Sequence, residues 1–188
     1  MKKFITIYFI LALCIAACEN RQQNNDPKDL AEDQNEARFN NTKIEDDAEF
    51  ALKAAEGGMM EAELGRLAQN KAVHREVKSF GAMMVGDHSD TNKELESLAQ
   101  TRNISLPAAL GEDKQKKYDE LNSKKANEFD REYISFMIKD HKEDIEAFRE
   151  QSKESKDAEL RNWATSKIPI LEHHLAEAQR IDSLLRSR

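Results

Sequence analysis

Only two cysteines, three prolines and one tryptophan stand among 188 residues, and basic residues are outnumbered, 29 Lys and Arg against 36 Asp and Glu. Each shortage excludes something. Both cysteines, Cys14 and Cys18, lie at the N-terminus, so the rest of the chain can hold no disulfide, thiol nucleophile or thiolate metal site. A net charge of −7 denies nucleic acid the basic footprint its phosphates require. Long apolar runs are also missing: Phe4–Leu13 is the most apolar stretch, and a membrane-spanning helix needs about 20 such residues. Glycine is scarce, and the Gly57-Gly58 pair has no strand before it and no Gly-Lys-Ser/Thr after it, so it is not a phosphate loop. No Ser/His/Asp order stands out as a hydrolase site.

The first residues carry an address. Met1-Lys2-Lys3, the short apolar run and Ile15-Ala16-Ala17-Cys18 form a secretory signal that ends in a sequence resembling the bacterial lipobox. Residues 1–17 are expected to leave, with lipid on Cys18. Loss of Lys2 and Lys3 takes the net charge from −7 to −9, so the acyl chains, and not the protein surface, would hold the membrane. Residues 18–43 are rich in Asn, Gln, Asp and Glu and are expected to be a flexible tether, because they lack apolar surface to offset chain entropy. The expected location is the cell envelope, with the domain in the periplasm or at the outer membrane.

From residue 44 to 188 the pattern is helical. Apolar residues recur at spacings of three and four over about 46–69, 73–102, 127–152 and 156–186, with a weaker helix at 112–123. Pro107 closes the second helix, and Pro169 should bend or divide the last. Four amphipathic helices with short turns predict an all-α, antiparallel four-helix bundle. One echo is visible: Phe80-x3-Met84-x2-Asp87-His88 returns as Tyr133-x3-Met137-x2-Asp140-His141, 141 − 88 = 53 residues on. It suggests two related helical hairpins.

His88, His141 and His174 fall on the apolar stripes of three helices. Counted from the turns at 1.5 Å per residue, their heights spread over roughly 10 Å, which makes them one belt without making them one coordination sphere. Met84 and Met137 stand one turn before His88 and His141, and Glu56, Glu61, Asp87 and Asp140 could add carboxylates. Imidazole with thioether suits copper, and imidazole with carboxylate suits iron or zinc. The candidate ligands are therefore His88, His141, His174, Glu61, Met84 and Met137. A core in which methionine fills gaps and each histidine bonds to a neighbour explains the same residues. The Glu-x-x-His motif of di-iron bundles is absent, since Val85, Ile138 and Leu171 hold that position.

Several blocks then carry a resemblance: Ala54-Ala55-Glu56-Gly57-Gly58-Met59-Met60-Glu61-Ala62-Glu63-Leu64-Gly65, Val77-Lys78-Ser79-Phe80 leading to Asp87-His88, Phe129-Asp130-Arg131-x-Tyr133 with Asp140-His141, and Pro169-x-Leu171-x-x-His174. In this order they resemble a bacterial family known as outer membrane proteins, which carries a ferritin-like domain of unknown function (DUF 4142). The resemblance implies a ferritin-like bundle in the envelope and no settled activity. Three function classes stay open: a non-enzymatic binding or stress-protective lipoprotein with a metal at its histidines, a metal-dependent redox enzyme or metal store, and an inert structural or interaction bundle.

Overall fold

A computed structural model describes residues 26–187. The signal and Cys18 lie outside the described residues. Six helices and no strands are found among them: α1 (Pro27–Phe39), α2 (Glu45–Lys71), α3 (Arg75–Arg102), α4 (Glu112–Ser123), α5 (Ala126–Glu154) and α6 (Ala158–Arg186). No described helix is long and apolar enough to cross a membrane.

Two hairpins, α2–α3 and α5–α6, make the bundle, with α2 also packed on α5 and α3 on α6. Two buried aspartates fix how they meet. Asp130, near the start of α5, accepts from the Val73 and His74 backbone N–H groups at 3.1 and 2.8 Å, which ties α5 to the α2–α3 turn. Asp47, near the start of α2, accepts from Gln151 Nε2 at 2.7 Å and from Lys156 N and Asp157 N at 3.1 and 2.9 Å, which ties α2 to the α5–α6 turn. So α2 and α5 run antiparallel. Arg102, at the end of α3, meets Asp157 at 2.6 Å, which places the end of α3 at the end opposite the start of α5. The connection through α4 therefore travels the length of the bundle.

These clamps reveal the internal repeat. Asp47 to Asp130, Val73 to Lys156 and His74 to Asp157 are each separated by the same step, 130 − 47 = 83 residues. The hairpins are thus related in a register of 83. The echo at 53 instead pairs α3 with α5, the second helix of one hairpin with the first of the other. Those helices lie diagonally across the core and run the same way, so the echoed residues face each other: Phe80 meets Tyr133 edge-on at 6.0 Å, and the His88 and His141 rings are 5.8 Å apart.

The expected tether is corrected in part, because residues 27–39 are helical. Local chemistry starts α1: the Asp26 side chain caps Lys28 N at 2.8 Å and Pro27 takes the first turn, where its missing N–H costs nothing. Ala31, Asn35 and Phe39, four apart, form its buried face. Asn35 then bonds the Ser105 backbone through both amide atoms, at 2.7 and 2.8 Å, and fixes the crossover loop. Average composition hides a face built from one alanine, one paired amide and one aromatic. Pro169 does not divide α6, which continues to Arg186.

Close helix approach occurs at Gly65 and Gly81. A Cβ on either would stand 2.7 Å from the other's carbonyl oxygen, whereas one on Gly57 would meet nothing within 4 Å. Gly81→Ala should therefore destabilise the domain by about 1–3 kcal/mol through overpacking. Gly57→Ala should stabilise it by about 0.5–1 kcal/mol through helix propensity. Denaturant midpoints of the two variants check both signs.

The core has two apolar parts. One gathers Leu64, Phe80, Met84, Phe129, Tyr133 and Met137; the other gathers Ala51, Leu95, Ile145, Phe148, Trp163 and Leu171. Between them lies a polar layer.

Candidate metal centre

The polar layer is built from helix midpoints. His88, His141 and His174 each sit within about two residues of the middle of α3, α5 and α6, and Glu61 is near the middle of α2. All four are buried. One ligand nitrogen from each histidine lies within 4.8 Å of the others, so the three converge on one point. Counting heights from the turns placed them only loosely, since the two turns lie at opposite ends of the bundle.

The partner of each ring fixes its tautomer. His141 Nδ1 lies 3.1 Å from the Met137 carbonyl, which can only accept, so this nitrogen carries the proton and Nε2 is bare. His174 Nε2 lies 2.8 Å from the Asp87 carboxylate; donating there leaves Nδ1 bare. Those two bare nitrogens, His141 Nε2 and His174 Nδ1, face each other at 3.2 Å. His88 Nδ1 stands 2.9 Å from Glu61 Oε2, while its Nε2 is buried without a hydrogen-bond partner among the described residues. Glu61 Oε1, 3.3 Å from His141 Nδ1, is also left without a hydrogen bond.

Protons do not fill the gap. Burial pushes His88 and His174 down to about 4 and His141 well below its ordinary value, so near neutral pH the rings are uncharged. The bare nitrogens of His141 and His174 therefore meet in one buried place that the third imidazole, His88, also reaches. Two nitrogens held ~2.0–2.1 Å from one tetrahedral ion are roughly 3.3 Å apart, close to the 3.2 Å between His141 and His174.

Carboxyl groups surround this nitrogen cluster. Burial holds Glu61 and Asp144 well above the usual carboxylate range, with Asp140 adding to both, and burial raises Asp140 as well. Glu61, His141 and Asp144 also converge as a second set of donors. Asp144 was not singled out from the sequence, although it stands one turn after His141 on α5 and corresponds to Glu61 in the register of 83. Glu56 is elsewhere: its Oε1 accepts from Gly111 N at 3.1 Å, at the start of α4. Met84 and Met137 lie in the apolar cluster with Phe80 and Leu64, and the contact Met137 makes with His141 is through its backbone carbonyl. Trp163 is buried in the other cluster.

The shifts set a pH dependence. Glu61 and Asp144 hold their protons more strongly in the folded chain than in the unfolded one, because burial disfavours their charged forms. The stability they contribute is present below the unfolded values and is lost as pH rises through the raised folded ones. The histidines, with lowered folded values, act oppositely: their contribution is present above about 6.5 and is lost as pH falls through about 4. Above 6.5 the imidazoles are neutral in both states and only the carboxyl groups contribute. The melting temperature of the metal-free domain should therefore fall on both sides of a maximum, with the alkaline side reduced in Glu61→Gln. Calorimetry from pH 4 to 9 measures it.

No curated protein and no solved structure matches the chain. The sequence profile of one family does, over residues 30–181, from within α1 to near the end of α6. The chain belongs to the family defined by the domain of unknown function DUF4142.

Proposed function

We propose that this domain binds a transition-metal ion through His88 Nε2, His141 Nε2 and His174 Nδ1. It does so as a non-enzymatic module of a lipoprotein held in the bacterial envelope by lipid on Cys18. The observation that carries the metal reading is the crowding of bare nitrogens. Acceptor-only partners favour the tautomers that put the protons of His141 and His174 on their outer nitrogens, and the inner nitrogens, bare in those tautomers, face each other at 3.2 Å. A cation relieves that repulsion and supplies the partner His88 Nε2 lacks. Carboxylate or carbonyl behind each ligating imidazole is the usual support of a metal site, since it orients the ring and raises its basicity. Three imidazoles with a nearby carboxylate suit Zn(II), Cu(II) or Fe(II). The antiparallel hairpins, the long crossover and the repeat of 83 support a ferritin-like plan. The envelope address rests on Met1-Lys2-Lys3, the apolar run Phe4–Leu13 and Ile15-Ala16-Ala17-Cys18.

Bound ion stabilises by RT ln(1 + [L]/Kd), about 2.7 kcal/mol at a hundredfold excess over Kd. Titrating the metal-free domain with Zn(II), Cu(II) and Fe(II) should raise its melting temperature for at least one ion, with that rise absent in His88→Gln. A melt that no ion shifts would support the inert bundle instead. For the address, Cys18→Ser should leave the protein unacylated and off the membrane fraction; unchanged membrane association would refute lipid anchoring.

A further inference from the structure

The centre borders a small cavity of about 30 Å³. Glu61, His88 and His174 form its buried floor, and half-buried Gly57, Thr91 and Ile170 stand nearer the surface along its wall. The cavity thus leads from the imidazoles toward solvent. A water-sized sphere needs ~10–15 Å³, so there is room for a molecule of two or three heavy atoms and little more.

Two features point to a cavity that is kept open for a ligand. Gly57 sits in the middle of α2, where glycine weakens a helix, and packing does not demand it: an added Cβ would meet nothing within 4 Å. Its neighbour Gly58 differs, because a Cβ there would strike the Asn92 side chain. The buried His88 Nε2, without a partner among the described residues, belongs to a ring that lines the same space. Lys167 lines the wall, its ammonium paired with Glu94, and Thr91 brings a hydroxyl. Closed structural sites fill four positions with protein ligands, whereas three-ligand sites leave one for water or substrate. His88 and His174 line the cavity and His141 does not, so an ion held by the three rings meets the cavity on its His88–His174 side.

We infer that the ion's remaining coordination position opens into this cavity and takes a small exogenous ligand: water at rest, exchangeable for a molecule the size of azide, peroxide or dioxygen. The inference rests on the metal reading above and adds that the site is open. Co(II), whose visible bands report its coordination, is the probe. The protein loaded with Co(II) and titrated with sodium azide should show a saturable change in those bands. Gly57→Leu should load the same amount of Co(II) and bind azide at least tenfold more weakly, as should Thr91→Leu from the α3 side of the cavity, while Gly57→Ala keeps the wild-type response. If Co(II) binds but azide leaves its bands unchanged, or if both leucine variants respond as wild type, the open position is overturned and the metal reading stands. If no Co(II) binds, the metal reading falls and this inference with it.

Discussion

His141→Gln should lower the affinity for the ion by at least about a hundredfold, the largest binding effect expected of a single change. Loss of a group that merely orients a ligand costs ~10–100-fold, and His141 is placed as a ligand itself, its bare Nε2 turned toward His174. Glutamine can keep the bond to the Met137 carbonyl, so the metal-free fold should change by no more than about 1–3 kcal/mol, the range for a buried polar group. Asp87→Asn acts one step further out. It weakens the hold on His174 Nε2 and should cost about 10–100-fold. His74→Gln, at the α2–α3 turn, should leave affinity unchanged. Competition against a chromophoric chelator ranks all three. Equal affinities across the series would mean that the imidazoles are structural.

Asp47→Ala should produce the largest loss of stability, about 3–5 kcal/mol, because three donors lose their acceptor at ~1–3 kcal/mol each. The carboxylate is buried and accepts from one amide and two backbone N–H groups, and alanine leaves these donors without it. For a domain of this size the melting temperature should drop by roughly 10 °C. Asp130→Ala removes the matching clamp at the other end. Because the clamps share no partners, their effects should add. Chemical denaturation of the single and double variants checks this; a near-neutral Asp47→Ala would show that the hairpins are held by apolar packing alone.

Periodicity is enough to find the four long helices from residue 45 onward, because each carries a long apolar stripe; α4, which buries only Leu121, gives a weaker signal. It failed at α1, whose buried face is Ala31, Asn35 and Phe39: one alanine, one paired amide and one aromatic barely register against a polar background. The three histidines were legible as polar residues on apolar stripes. Their convergence was not, since it depends on which ends of the hairpins meet, and Asp47 and Asp130 decide that through contacts 109 and 57 residues apart in sequence. One turn from a histidine on a helix is also one layer away in the core, and Met84 and Met137 belong to the apolar layer beside the imidazoles. Asp144 answers Glu61 in the register of 83, a correspondence that the more visible echo at 53 masks in the sequence.

The most direct test of the central claim is X-ray absorption on the untagged domain loaded with one equivalent of Zn(II). The account predicts a single tightly held ion with scattering from three imidazoles at ~2.0–2.1 Å, falling to two in His141→Gln. A spectrum without imidazole scattering, or an ion that dialysis removes from wild type and variant alike, would contradict it.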